Sequence, residues 1–381
     1  MNGQITVSRN ELLNKLTAVG KVVSNKSLIP CHDNFLFEIN DGVLSVTGAD
    51  REGNITKTIE CVSQSMENCK FQIEHKIMLD GLKVLPEQPL IIDVEIKGSS
   101  GNATLKHESG IYRIPVISND DFSVIQQKAG ETIRPITLES HVLVDGIKKV
   151  IGFAGHDELR PIMNSVLMES KEGKLTFTST NSNMMGIYEV FNTDLDDFNI
   201  VLPLKFGKII SELADGIDTI ELQIGSRNLT AMFGDTKIVY RLIEGNYPNF
   251  RAVIPRDNDK EVKADVKSFN GALKRTSIFA NKSSLLVSLS ISDQNLTVSG
   301  KDDDFQMSAQ EQMSVEYSST ELIEIGFKSE FLLQCLNAID TPEVRITMRE
   351  SNTAALISPV YDEGDEYHSL TILIMPMMIA V

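Results

Sequence analysis

Two runs of acid are the first residues in this chain that could do chemistry. Asp302-Asp303-Asp304 and Asp194-Leu195-Asp196-Asp197 each gather carboxylates of the kind that hold paired divalent cations for phosphodiester hydrolysis. A working site needs more ligands than these. Neither run has histidines at ligand spacing, and Asn192-Thr193-Asp194-Leu195-Asp196-Asp197 lacks the glycine and terminal glutamate of a calcium loop. Solvated loops have the same composition, so a metal-dependent phosphoesterase is the alternative function and not the main one. Cys31, Cys61, Cys69 and Cys335 form no C-x-x-C pair, and the 6 histidines are scattered. No catalytic residue, metal site or cofactor is expected, and the free thiols fit a reducing, cytoplasmic setting.

Lysine is the other chemically suggestive residue, because of where it recurs. Helical apolar spacing runs through Leu12, Leu13, Leu16, Val19 and Val23, through Ile77, Met78, Leu82 and Leu85, and through Val142, Leu143, Ile147, Val150 and Ile151. It recurs at Phe206, Ile209, Ile210 and Leu213, at Val266, Phe269, Leu273 and Ile278, and at Phe331, Leu332, Leu336 and Ile339. The first helix opens with Ser8-Arg9-Asn10-Glu11, a capping box. Off these stripes lie Lys15, Lys21 and nearby Lys26; Lys76 and Lys83; Lys148 and Lys149; Lys205 and Lys208; Lys267, Lys274 and Arg275; and Lys328. One helical lysine marks only a solvated face. Six helices sharing the habit make one basic helical face, able to meet phosphates without reading sequence. The formal net charge of −17 excludes a uniformly basic nucleic-acid binder, but acid confined to strands and loops leaves such a face possible. With no tryptophan there is no stacking platform for single strands, so duplex DNA is the better ligand.

Each predicted helix is followed by a meander of short strands. Asn34–Ile39, Val43–Thr47 and Asn54–Glu60 follow the first, with Asn40-Asp41-Gly42 as a hairpin turn. Glu172-Gly173 and Ser292-Asp293-Gln294-Asn295 mark the corresponding hairpins later on. One helix and one meander cannot close a core, whereas two can share a sheet face. Six units over 381 residues therefore predict an α+β protein of three similar domains, 1–128, 129–252 and 253–381. The composition, 41% hydrophobic and 23% charged, is that of a folded protein. The N-terminus carries no signal-peptide pattern, and the apolar run Leu370–Val381 is too short to span a bilayer, so no membrane association is expected.

The junctions between domains carry the most specific motif. Tyr240–Pro255 reads YRLIEGNYPNFRAVIP, a strand running into a Gly-Asn turn and a proline. Tyr112-Arg113-Ile114-Pro115, followed by Asp120-Asp121-Phe122, is a looser copy 128 residues earlier. Gly245-Asn246-Tyr247-Pro248-Asn249-Phe250 with Val253-Ile254-Pro255 resembles the G-x-[FY]-P-[DN]-[YF] junction of the bacterial DNA polymerase III beta subunits, the sliding clamps. The tail Ile374-Met375-Pro376-Met377 resembles the family's V-M-P-M ending, and Leu28-Ile29-Pro30 and Asp121-Phe122 match weaker positions. The resemblance spans nearly the whole chain.

It implies a DNA clamp fold, with helices lining a ring and sheets outside. The ring would be a head-to-tail homodimer that encircles duplex DNA and tethers the replicative polymerase. It would be a non-catalytic part of a holoenzyme whose polymerase and 3′–5′ exonuclease activities reside in partners. A peptide pocket would dock the polymerase III alpha subunit, the clamp loader, other polymerases and repair proteins. Its walls fall on Met163, Thr180, Ser182, Asn183, Met184, Met185, Pro248, Val253, Asn352, Ala354, Leu373, Ile374, Met375, Pro376, Met377 and Met378. Ser179–Met185 lacks the His and Arg of the family's A-T-D-G-H-R-L, and the tail ends Met378-Ile379-Ala380-Val381 in place of Arg-Leu. Methionine suits an adaptable apolar site and equally a core. Tyr112, Ile114, Ile278 and Phe279 fall on dimer-contact positions, with Asp302–Asp304 facing Lys106 or Arg113 across the contact.

Overall fold

The computed structural model describes residues 2–24, 29–40, 42–63, 69–118, 122–127, 130–157, 159–362, 364 and 367–379. Lys26, Leu28, Asp41, Asp120, Asp121, Ala380 and Val381 lie outside the described residues.

Six helices occur among the described residues: α1 (Arg9–Gly20), α2 (His75–Val84), α3 (Ser140–Val150), α4 (Leu204–Leu213), α5 (Val266–Ser277) and α6 (Ser329–Asn337). Their apolar stripes are largely buried, but Ile77 (46% exposed) and Ile278 (72%), read as stripe residues from their spacing, turn outward. In α1 the buried residues include Leu12, Leu16 and Val19, and in α5 Phe269, Ala272 and Leu273. Ser8 Oγ accepts the Glu11 N–H at 3.4 Å, which satisfies an otherwise orphan donor at the start of α1. Asp265 does the same for Ser268 at the start of α5, at 2.8 Å.

A strand precedes every one of these helices, and the sequence pattern did not predict any of the six. They are Asn2–Ser8, Cys69–Glu74, Arg134–Glu139, Phe198–Pro203, Lys260–Asp265 and Ile323–Lys328. Each runs into its helix with no intervening residue, so no turn signal separates the two elements. The repeating unit is therefore strand, helix, meander. Within each pair of units the leading strands are exchanged. Asn2–Ser8 pairs with Pro89–Lys97 of the second meander, while Cys69–Glu74 pairs with Asn34–Asn40 of the first. The same reciprocal pairing joins Arg134–Glu139 to Thr219–Ile224 and Phe198–Pro203 to Ser165–Lys171. It joins Lys260–Asp265 to Glu343–Met348 and Ile323–Lys328 to Leu286–Ser292. A lone unit would lack the partner for its own first strand, which gives a backbone reason for the doubling.

The chain divides into two compact units, Met1–Val144 with Lys205–Leu242, and Asp145–Leu204 with Ile243–Val381. Compactness thus cuts across the threefold repeat. In the first unit a 13-stranded sheet forms because Thr236–Arg241 pairs with Gly53–Glu60. In the second, Met184–Val190 pairs with His368–Ile374 to build a 9-stranded sheet, and a 4-stranded sheet accompanies it. Two-residue turns close the hairpins at Glu172-Gly173 (φ 52 and 74) and Asp293-Gln294 (φ 47 and 61), the left-handed pair that matches strand twist. Among the described residues no helix is long and apolar enough to cross a membrane.

Candidate partner-binding site

The clearest apolar site is built within the second unit, where four strands lie beside the Tyr240–Pro255 junction. Leu167 on Ser165–Lys171, Met185 and Ile187 on Met184–Val190, Val201 on Phe198–Pro203 and Leu373 on His368–Ile374 form one buried cluster with Phe250. Met185 and Ile187 are two apart, so the pleat sends both to the same face. Ile243, Tyr247, Ile254, Ala354 and Leu356 pack on this floor half-buried. At the rim stand Val253 at 60% exposure, Met375 at 42% and Met378 at 86%. Pro248 and Asn352 are exposed, and Met163, Pro376 and Met377 are half-buried.

Local hydrogen bonds fix each wall. The Ile243 N–H donates to Val201 O at 3.0 Å, starting the junction against the sheet. Gly245 then takes φ +128, a conformation that calls for glycine, and a Cβ there would also press on Ile162 Cδ1 at 2.7 Å, the movable end of its side chain. The Tyr247 hydroxyl donates to Thr178 O at 3.4 Å, and burial pushes its phenol pKa up, keeping it a donor. The Phe250 ring lies 4.4 Å from the Arg251 guanidinium.

Across the floor, the turn 180–184 caps itself. Asn181 Oδ1 accepts the Asn183 and Met184 N–H groups at 3.0 and 2.8 Å, and Thr180 Oγ1 donates to Met184 O at 2.7 Å. Ser182 sits at φ 77. The turn that lost the family's His and Arg is thus held by short polar side chains folded onto its own backbone.

The pocket residues taken from the resemblance divide into floor and rim. Met184 and Met185 are both buried, on opposite faces of one strand. Met185 joins the floor cluster, whereas Met184 lies 3.9 Å from Cys335 Sγ in α6. Ile374 is fully buried beside Leu373. Of the methionines, Met375 and Met378 are the exposed ones at the rim. The pocket residues implied by the resemblance omit Leu167, Ile187, Val201, Leu356 and Ile243, and no alternation singles them out: Ser165–Lys171 and Met184–Val190 are buried on both faces, and Ile243 lies outside any strand.

The lysines separate by partner. Lys15 pairs with Asp235, Lys21 with Glu212 and Lys205 with Asp50. Lys149 reaches Asp340 at 2.8 Å and donates to Ala338 O at the C-terminal end of α6. Lys83 pairs with Asp80, Lys328 with Glu330, and Arg275 donates twice to Glu311 at 2.6 Å. Lys76, Lys148, Lys208, Lys267 and Lys274 are exposed.

Residues matched to a dimer contact lie on one open strand edge and just after α5. Gly110–Ser118 pairs with Ser100–His107 throughout, but with Cys69–Glu74 only from Val116 to Ser118. Its remaining edge is unpaired among the described residues. Tyr112 is 47% exposed and stacks on His107, while Ile114 turns inward and is 7% exposed. Alternation leaves Ile111 and Ile117 as the other exposed apolar groups of that strand. In the second unit Met307–Ser314 is the outer strand of its sheet, and Ile278 (72%) and Phe279 (38%) are exposed just after α5.

The acid runs serve local structure. Asp302 is 1% exposed, and its Oδ1 accepts the Asp304 and Phe305 N–H groups at 3.1 and 3.3 Å, capping a turn. Asp303 pairs with Lys301, Asp197 accepts the Glu172 N–H, and Lys106 is held by Asp93. Among the described residues no three His, Cys, Asp or Glu side chains converge as metal ligands.

Residues 3–126, 137–249 and 251–378 match, in that order, the N-terminal, central and C-terminal domain families of the DNA polymerase III beta subunit. The beta sliding clamps of Haemophilus influenzae and Escherichia coli are each 26% identical over 376 residues, 98% of this chain and 99% of the relative. A crystal structure of the Pseudomonas aeruginosa clamp bound to griselimycin has TM-score 0.90 at 23% identity, covering 100% of both chains. The Thermotoga maritima beta subunit gives 0.87 at 23% identity, covering 99% of this chain and 100% of that one, and both structures speak to the fold. Three domains in family order along essentially the full length establish that the chain belongs to the DNA polymerase III beta subunit family, the beta sliding clamps, which are non-catalytic processivity factors of DNA replication.

Proposed function

We propose that this clamp docks short apolar peptide segments of the polymerase III alpha subunit, the clamp loader and other polymerases and repair proteins. The site is the one built on Leu167, Met185, Phe250 and Leu373. The observation that carries this is an apolar floor left under an exposed apolar rim of Val253, Met375 and Met378. A leucine or phenylalanine seated there would contribute about 1.5–3 kcal/mol from burial alone, and flexible methionines let one rim fit several partners. Deleting Met375–Val381, or making Val253→Asp, is expected to abolish polymerase stimulation while the oligomer stays intact. Full stimulation by the truncated protein would refute the assignment.

We further propose that two copies close head to tail into a ring around duplex DNA, each contributing domains 1–128, 129–252 and 253–381. The open edge at 110–115 of one copy would meet Met307–Ser314 of the other, removing both exposed edges. Beside the first edge lies a cleft of about 930 Å³ whose lining includes Lys76, Ile77, Ile114 and Ile117. Ile278 and Phe279 of the second copy supply matching apolar bulk, and Asp304, which accepts from nearby Asn281 at 3.3 Å, would answer Lys76 or the exposed Arg113. DNA would meet the exposed lysines of the helices, chiefly Lys148, Lys208, Lys267 and Lys274, through its backbone.

A further inference from the structure

The C-terminal tail that carries the rim methionines is fastened at two points in two different sheets. Its Met375 N–H donates to Asn183 O at 2.8 Å, extending the pairing of His368–Ile374 with Met184–Val190 in the 9-stranded sheet. Pro376 has no N–H to offer. The Met377 N–H then donates to Gly326 O at 2.8 Å, an isolated antiparallel bridge to strand Ile323–Lys328 of the 4-stranded sheet.

Position 326 has room for the tail only because it is glycine. A Cβ there would stand 2.8 Å from Met377 O, 2.9 Å from Ile379 Cγ1 and 2.8 Å from Leu286 Cδ1. Leu286 Cδ1 is the end of a flexible side chain and can rotate away, whereas Ile379 Cγ1 sits next to Cβ on a residue of the tail itself. Met377 O is backbone and can yield only if the tail moves. The Gly326 backbone is not in the left-handed region, so an alanine suits the strand itself and its effect falls on the tail.

We infer that Gly326 is a latch, a positioning residue that holds Met375–Met378 as the rim of the peptide site. This rests on the peptide-docking reading above. Removing the latch would leave the floor of Leu167, Met185 and Phe250 in place and let the rim wander, so the loss would appear in peptide affinity and not in folding.

The test uses the full-length protein, a fluorescein-labelled six-residue peptide containing leucine and phenylalanine, and hydrogen exchange at the Met377 amide. Gly326→Ala is expected to weaken peptide binding at least tenfold and to speed Met377 exchange, with oligomer mass and Tm unchanged. Met377→Pro, which removes the donor without touching the strand, is expected to weaken binding equally, and the double variant to be no worse than either. Wild-type affinity with a protected Met377 amide in Gly326→Ala overturns the latch, as do additive losses in the double variant. If the wild-type protein binds no peptide, the docking reading fails and exchange alone decides. Slow exchange in wild type with fast exchange in Gly326→Ala upholds the latch, and equal rates overturn it.

Discussion

At the scale of single residues, Asp235 shows how a lysine read as DNA-facing can be doing structural duty. It lies in the two-residue turn between Asn228–Phe233 and Thr236–Arg241, and accepts from Lys15 of α1 and from Lys57 Nζ at 2.9 Å. Burial pushes its carboxyl pKa up, but the hydrogen bonds from Lys15 and Lys57 outweigh that, and the net shift is downward. A carboxyl lowered on folding stabilises above its ordinary range near 4, and that contribution fades as pH falls through the lowered folded value. Asp235→Asn is therefore expected to lose about 1 kcal/mol at neutral pH, a modest figure because the pair is partly exposed. Urea unfolding across pH checks it: the deficit should be constant above the ordinary carboxylate range and close as pH falls below it. A deficit that persists in acid would mean shape, and not charge, is what asparagine disturbs.

At the scale of elements, the pairing of Thr236–Arg241 with Gly53–Glu60 depends on one large residue facing the smallest. Tyr240 stands opposite Gly53, is 1% exposed, and packs edge-on against Phe206 at 5.7 Å. A Cβ on residue 53 would fall 2.3 Å from the tyrosine ring, so Gly53→Ala must displace a buried aromatic. That overpacking is expected to lower stability by about 1–3 kcal/mol, read as a drop in Tm and a changed near-ultraviolet dichroism of Tyr240; an unchanged Tm would mean the strands separate there at little cost. Tyr240 itself opened the junction motif in the sequence, but nothing near residue 53 announces its partner. The same limit governs the fold as a whole. Helices were legible because stripes such as Leu12-Leu16-Val19 repeat at helical spacing, and hairpins because turns such as Glu172-Gly173 punctuate them. The six leading strands were not, since Ser8, Glu74 and Asp265 pass directly into helix. Met307–Ser314 escaped notice because it alternates without a buried face. The floor of the proposed peptide site was half-legible: the resemblance marks Met185 and Leu373, whereas Leu167 and Val201 reach it only through pairing between distant strands.

At the scale of the whole molecule, a formal net charge of −17 has to be reconciled with duty on a polyanion. Net repulsion rules out tight binding through surface charge alone, and many helical lysines already answer acids of the same chain. Retention by encirclement needs no net attraction, only closure, so the proposed edge contacts carry the function as surely as any DNA contact. Changing Ile278 and Phe279 together to aspartate puts two charges where apolar bulk is proposed to meet the cleft at Ile77 and Ile117. Burying unpaired charge is costly enough to exclude the contact. The variant is expected to sediment as a folded monomer with wild-type Tm, and an undisturbed dimer would place the interface elsewhere. Loaded onto nicked circular DNA, wild-type protein is expected to remain at moderate salt and to be lost once the circle is cut, while the monomeric variant is not retained on either. Equal wild-type retention on circular and linear DNA, falling steeply with salt, would mean counterion release holds the protein and closure does not.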